Sequence, residues 1–260
     1  NTMTNPESAS SSSTSLGANA LSYLTSLLNI IQTQNWDAFD EIAIQNPRAF
    51  QALSDIISST NEFNGMSFLH AIVREHPPLK TVADVIRLSP DSPRACDCLN
   101  RTPLHVAAGI GASPQVISYL CMVHPKACII QDEDGKTPLH LACDIECKLF
   151  EGQPARQDPP TLEVIRALLS ASFAAASVED EDEMSPLEYA ILSNANIRVI
   201  KLLQKAAQKF MKNSHENQKQ NEYEHRSRMQ LGAAVHAHES SASQHGNPRN
   251  GLALNKFAYM

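Results

Sequence analysis

One hexapeptide occurs twice in this sequence at a fixed interval, and it constrains the fold more than any other feature. Thr102–Ala107 reads Thr-Pro-Leu-His-Val-Ala, and Thr137–Ala142, 35 residues later, reads Thr-Pro-Leu-His-Leu-Ala. Two partial copies keep the register: Ser67–Ile72 lies 35 residues earlier, and Ser185–Ala190 lies 48 residues later with Glu188 in the histidine position. Self-similarity at an interval of roughly 20 to 50 residues indicates an array of stacked repeats.

Each copy combines the chemistry of a turn with that of a helix start. In the third copy, Gly135 can adopt the positive φ that a tight turn needs. The Thr137 hydroxyl can cap a helix, and the following proline suits the first helical position, where an N–H is not needed. The apolar pattern predicts an inner helix over Pro138–Cys147 and an outer helix over Thr161–Ala171. The repeated element is therefore a turn followed by two helices.

The two complete hexapeptides resemble the Thr-Pro-Leu-His-x-Ala signature of ankyrin repeats, whose period is about 33 residues. The resemblance covers residues 59–212 and implies an all-α, ankyrin-type α-solenoid of about four turn–helix–helix repeats. It also implies that the histidine of each hexapeptide is a structural residue that hydrogen-bonds between neighbouring turns. The residues with this structural role are His70, Thr102, His105, Thr137 and His140.

The segments around and within the array differ from it in composition. Residues 16–58 show helical periodicity without the hexapeptide, which predicts an N-terminal helical cap or a degenerate repeat, because the first repeat needs a cover. Residues 1–15 are rich in Ser and Thr, and we expect them to be disordered. Residues 213–260 are polar and His-rich, and we expect disorder or a frayed helix there. The third repeat carries an insertion near residues 146–159. It is either a tolerated surface loop or part of the binding face.

The charge is divided unevenly along the chain. Residues 1–195 contain 11 basic and 24 acidic residues, whereas residues 196–260 contain 10 basic and 4 acidic residues. The acidic array favours a partner with a basic segment, and the basic tail offers an alternative contact with nucleic acid or an anionic membrane. Because no Lys or Arg precedes Arg48, we expect neither a secretory signal nor a transit peptide. A cytoplasmic location is expected, with the nucleus as the alternative.

Signs of catalysis and of metal binding are missing from the sequence. It contains no Gly-rich phosphate loop and no nucleophile elbow. Its six cysteines include no Cys-x2-Cys pair of the kind that binds zinc. The histidines of successive hexapeptides lie on helices expected to pack about 8–10 Å apart, too far for one metal ion. We therefore predict no enzyme activity, no cofactor and no metal, although the chain could be the targeting portion of a larger signalling enzyme.

The predicted function is that of a monomeric scaffold or adaptor that binds other proteins. The resemblance implies binding through the turn tips and through the concave face of the inner helices. Neither a small-molecule substrate nor a membrane span is expected, and nucleic acid is not the expected partner. The candidate partner-binding residues occupy positions that vary between the copies or lie in the insertion: Phe63, Asn64, Met66, Arg74, Glu75, Leu99, Arg101, Ile110, Glu133, Asp134, Lys136, Asp144, Ile145, Phe150, Glu181, Asp182 and Met184.

Overall fold

The structure, a computed structural model, describes residues 11–59, 63–153 and 156–242. The described residues form eleven α-helices and no β-strand. The chain divides into two compact parts, residues 1–210 and residues 211–260. None of the helices in the described ranges is long and apolar enough to cross a membrane.

Three helices precede the repeats and cover the first of them. They are α1 (Ser11–Gln32), α2 (Trp36–Gln45) and α3 (Pro47–Ser59). Leu27, Phe39 and Phe50 from these helices are fully buried. The Phe50 ring also stacks on the ring of Phe68 in the first repeat, with 4.9 Å between the ring centroids. Aromatic side chains bury a large apolar area, so these contacts keep one face of the first repeat out of water.

Four turn–helix–helix repeats follow, each with an inner and an outer helix. The helices are, in pairs, α4 (Phe68–Arg74) and α5 (Leu79–Leu88), α6 (Pro103–Gly109) and α7 (Pro114–Val123), α8 (Pro138–Cys143) and α9 (Leu162–Ala171), α10 (Pro186–Leu192) and α11 (Ile197–Ala242). The inner helices α4, α6, α8 and α10 pack on one another in chain order, and so do the outer helices α5, α7 and α9. This nearest-neighbour stacking makes residues 63–210 an α-solenoid.

The third inner helix is shorter than the sequence predicted. It ends at Cys143 instead of Cys147, because Asp144 adopts φ −86° and ψ 106°, outside the helical region. The guanidinium of Arg156, from the insertion, binds the carbonyl groups of Leu141 and Ala142 in the last turn. These carbonyl groups therefore have a partner without a further helical turn.

The segment that the sequence predicted to be disordered, and the one for which it left disorder or a frayed helix open, are both helical where the structure describes them. Ser11–Ser15 belong to α1, and residues 213–242 belong to α11. Adding residues to an existing helix costs much less free energy than starting one, and Lys, Glu and Gln in the extension of α11 are good helix formers. Residues 1–10 and 243–260, the remainder of the predicted segments, lie outside the described residues.

Candidate protein-binding site

A buried histidine connects the inner helix of each of the first three repeats to the following repeat. The Nδ1 atom of His105 accepts hydrogen bonds from the Thr102 backbone N–H at 3.0 Å and from the Thr102 hydroxyl at 2.9 Å. Because a backbone N–H donates to Nδ1, that nitrogen carries no proton, and Nε2–H donates to the carbonyl oxygen of Ile130 at 3.1 Å. Burial lowers the pKa of His105 to about 4, so the ring is neutral at pH 7.

The same arrangement recurs in the neighbouring repeats. His70 pairs with Ser67 and donates to the carbonyl oxygen of Arg101 at 2.9 Å. His140 pairs with Thr137 and donates to the carbonyl oxygen of Met184 at 3.1 Å. These histidines are therefore structural hydrogen-bonding residues, each between two repeats.

Glu188 takes the histidine position in the fourth repeat. Its exposed carboxylate accepts from the Ser185 backbone N–H at 2.6 Å and from the Ser185 hydroxyl at 2.8 Å. It closes the local capping box in the same way as a histidine. Among the described residues, it makes no hydrogen bond to another repeat.

The turn tips form a row that is held together by backbone hydrogen bonds. The N–H groups of Cys98, Glu133 and Glu181 donate to carbonyl oxygens of the preceding turn at 2.7, 3.0 and 3.2 Å, and these oxygens belong to Asn64, Leu99 and Asp134. Gly135 has φ +75°, and a Cβ atom there would lie 2.8 Å from the Glu181 nitrogen. The close approach of the third and fourth turns therefore requires glycine.

The structure places most candidate residues at the surface. Asn64, Arg74, Leu99, Glu133, Asp134, Glu181 and Asp182 are exposed, and Phe63, Met66, Glu75, Lys136, Asp144, Ile145, Phe150 and Met184 are half-buried. Two candidates are buried, which corrects the prediction for them. Arg101 forms an ion pair with Asp97 at 2.7 Å, and Ile110 is only 8% exposed in the core. Ile110 is not available to a partner, and Arg101 is covered while the insertion lies over it.

An acidic cavity of about 350 Å³ lies between the turn tips of the second and third repeats and the insertion. Its acidic lining residues are Asp132, Glu133, Asp134, Asp144 and Glu146. Within the described ranges, no cation lies within 4.0 Å of the carboxylates of Glu133, Asp134 or Glu146. Three basic residues, Arg101, Lys136 and Lys148, line the cavity as well. Arg101 is paired with Asp97 at 2.7 Å, and the Lys136 ammonium group lies 4.9 Å from the centroid of the Tyr189 ring and 4.0 Å from Asp144. Three carboxylates thus remain unpaired.

The insertion lies against the inner helices of the preceding repeats. The Phe150 ring lies beneath two guanidinium groups, at 4.3 Å from that of Arg74 and 5.3 Å from that of Arg101. Leu149 packs against Gly109, where α6 has no side chain. The sequence predicted an insertion near residues 146–159 but not the surface against which it packs. The available signal was Gly109 itself, since the other repeats carry Arg74, Asp144 and Leu192 at this register position.

Arg156, which sequence reasoning also missed, connects the ends of two inner helices. Its Nη1 donates to the carbonyl oxygen of Ala108 in α6 at 3.3 Å. Its Nη2 donates to the carbonyl oxygens of Leu141 and Ala142 at 3.1 and 3.0 Å, and to that of Asp144. A cation at a helix C-terminus binds the last carbonyl groups and interacts favourably with the helix dipole. The insertion is therefore anchored at this residue.

We expect Arg156→Ala to lower the free energy of unfolding by about 2 kcal/mol, because carbonyl groups at the ends of two helices lose a charged hydrogen-bond partner. Urea unfolding followed by circular dichroism measures the change. Arg166→Ala is the matched control, since Arg166 is exposed on α9. An exposed site of this kind should change stability by less than about 0.5 kcal/mol. Equal effects of the two substitutions would contradict the anchoring role.

All six cysteines are free thiols, and only Cys96 and Cys98 are exposed. Among the described residues, no group of three or more His, Cys, Asp or Glu side chains is arranged to hold a metal ion.

The stacked turn–helix–helix units with their histidine-containing capping boxes define the class of an α-solenoid repeat protein. A family model described as "Ankyrin repeats (many copies)" matches residues 89–142, and one described as "Ankyrin repeat" matches residues 134–183. Residues 89–183 therefore consist of ankyrin repeats. The first repeat and most of the fourth lie outside these matches, and their assignment rests on the geometry above. No curated protein matches the chain. Ankyrin repeats are generally protein–protein interaction modules and are typically non-catalytic.

Proposed function

We propose that this chain is a non-enzymatic scaffold or adaptor that binds a basic segment of a partner protein at its acidic turn tips. The observation that carries the proposal is the acidic cavity, in which the carboxylates of Glu133, Asp134 and Glu146 have no cation within 4.0 Å. The general role of ankyrin repeats in protein–protein interaction supports the same reading.

The acidic surface continues from the cavity to the fourth repeat. Glu181 and Asp182 are exposed at the next turn tip, and the backbone of Glu181 is bonded to that of Asp134. A Lys or Arg side chain of a partner can pair with these carboxylates without first breaking an ion pair. Clustered charge of one sign accelerates the encounter with an oppositely charged partner, and salt screens this effect.

Reversing charge in the cavity should weaken binding of a basic segment. The probe is a peptide selected against the protein from a random peptide library displayed on phage, and the selected peptides should be rich in Lys and Arg. For the double variant Glu133→Lys/Asp134→Lys, we expect an affinity at least about tenfold lower, because two favourable charge pairs become unfavourable. Fluorescence anisotropy of the labelled peptide at about 0.15 M salt measures the change.

The matched control carries the same change of net charge at exposed sites of α2 and α3, outside the lining of the cavity, in the double variant Glu41→Lys/Asp55→Lys. Its affinity for the peptide should stay within about twofold of the unaltered protein, since exposed charges farther away than a Debye length are screened. The proposal is wrong if both double variants weaken binding equally, or if the selected peptides contain no excess of basic residues.

The remaining predictions from the sequence are not favoured by any particular observation. Lys201, Lys205 and Lys209 are exposed on α11, as a contact with nucleic acid or an anionic membrane would require, but exposed lysines are common on helices. A targeting role within a larger signalling enzyme, the monomeric state and the cytoplasmic or nuclear location stay predictions.

A further inference from the structure

A second surface of this protein is occupied by its own chain. The Leu149–Phe150 segment of the insertion lies on the inner-helix side of the first and second repeats, where α4 and α6 end. Both side chains pack against the core and are half-buried. The segment is also held by its backbone, since Arg101 Nη1 donates to the Leu149 carbonyl oxygen at 3.0 Å.

The surface beneath this segment is complementary to two adjacent side chains. A Cβ atom on Gly109 would lie 2.5 Å from Leu149 Cδ1 and 3.0 Å from Leu149 Cγ. The missing side chain of Gly109 thus creates a notch that fits an aliphatic side chain. Beside the notch, the guanidinium groups of Arg74 and Arg101 lie near one aromatic ring. Guanidinium groups over an aromatic face form favourable cation–π contacts.

The insertion is anchored on both sides of the Leu149–Phe150 segment. Cys147 is buried on one side, and Arg156 is bound to the carbonyl groups of α6 and α8 on the other. Between these anchors, the described part of the segment is half-buried or exposed, and Gly152 has no atom within 4 Å of its Cβ position. Segments with few buried contacts open more readily than the core.

We propose that the surface formed by Arg74, Arg101 and Gly109 binds a partner segment with adjacent aliphatic and aromatic side chains, and that Leu149 and Phe150 occupy it as an intramolecular ligand. A partner binds there by displacing the Leu149–Phe150 segment. A partner without adjacent aliphatic and aromatic side chains does not displace Leu149 and Phe150, and therefore does not bind there. Arg101 and Leu149 also line the acidic cavity, but the inference does not rest on the carboxylates of the turn tips and stands if binding there fails.

The first experiment removes the intramolecular ligand and supplies it as a separate peptide. The probe is a labelled synthetic peptide with the sequence of residues 146–153, and the protein is the full chain with Leu149→Ser and Phe150→Ser. We expect this double variant to bind the peptide at least about tenfold more tightly than the unaltered protein, since the surface no longer has a competing segment. A control peptide with serine in place of its leucine and phenylalanine should not bind.

The second experiment fills the notch with a methyl group. It tests the proposal even if the double variant does not fold. Gly109→Ala is compatible with α6, because alanine favours a helix more than glycine does. The added methyl group meets the flexible end of Leu149, so the Leu149–Phe150 segment should leave the surface. Hydrogen exchange of amides 149–153 should then become at least about fivefold faster, while that of α6 stays unchanged.

The outcomes separate the proposal from a purely structural loop. Tighter peptide binding by the double variant and faster exchange in Gly109→Ala support an intramolecular ligand. Equal peptide binding by the double variant and the unaltered protein, or no binding by either, overturns the proposal. Unchanged exchange of residues 149–153 in Gly109→Ala overturns it as well. Adding Gly109→Ala to the double variant should abolish peptide binding.

Discussion

Replacing His105 by alanine should lower the free energy of unfolding by about 3 kcal/mol, the largest effect that we expect from a single substitution here. The imidazole is completely buried and bonds to the Thr102 N–H, the Thr102 hydroxyl and the Ile130 carbonyl oxygen. Alanine leaves these polar groups without their partner in a site that is closed to water. It also leaves a cavity between the second and third repeats.

The fourth repeat offers a matched control for this substitution. Glu188 closes the same capping box as His105 but is exposed and has no contact with another repeat in the part of the chain that the structure describes. Glu188→Ala should therefore cost only the local capping contribution and lower the free energy of unfolding much less than His105→Ala does. Urea unfolding of both variants measures the difference. If they lose the same stability, the connection between repeats contributes nothing and our explanation is wrong.

Acidification from pH 7.5 to pH 5 should lower the free energy of unfolding by at least about 2 kcal/mol, through His105 alone. Burial is the main cause that lowers the pKa of His105 to about 4, and it also lowers the pKa values of His70 and His140. Asp97, near His105 and His70, and Asp180, near His140, act in the opposite direction but do not reverse the shift.

The sign follows from the protons that each state binds. Between pH 6.5 and about pH 4, His105 is protonated in the unfolded chain and neutral in the folded one. Stability therefore rises with pH in this range, is complete above pH 6.5 and is lost as the pH falls. Protonation would also place a proton on Nδ1, where the Thr102 N–H already donates.

The pH effect is measured by urea unfolding at pH 7.5, 6.5, 5.5 and 5.0, followed by circular dichroism. The His105→Ala variant is the control, and its loss of stability across the same range should be smaller by about 2 kcal/mol. A denaturation midpoint that does not change between pH 7.5 and pH 5.0 in the unaltered protein would contradict the prediction that the buried histidines make its stability depend on pH.

The repeated hexapeptide was sufficient to predict where the inner helices begin and which residues connect the repeats. Thr102, Thr137 and Ser185 stand at the helix starts, and each has a partner three residues later in the capping box. These contacts are local, so the residue pattern alone specifies them. The family matches over residues 89–183 confirm the ankyrin assignment that this pattern indicated.

The candidate site could be predicted only in part. The register correctly placed Glu133, Asp134, Glu181 and Asp182 at exposed turn tips. It placed Arg101 at a turn tip and Ile110 on the concave face, but the side chains of both are buried. Arg101 is covered because its guanidinium pairs with Asp97 and donates to Leu149. Register identifies the face on which a residue lies, whereas burial also depends on what else covers that face.

The sequence by itself determined the class of repeat, the capping boxes, the histidine positions and the acidic character of the later turns, because these properties depend on neighbouring residues or recur at the repeat interval. Only the tertiary structure decided where the insertion lies. The contacts of Arg156 with α6 and of Phe150 with Arg74 join residues 48 and 76 positions apart, outside the repeat register. No periodic pattern encodes such contacts, since they form by the fit of one irregular segment against an already assembled surface.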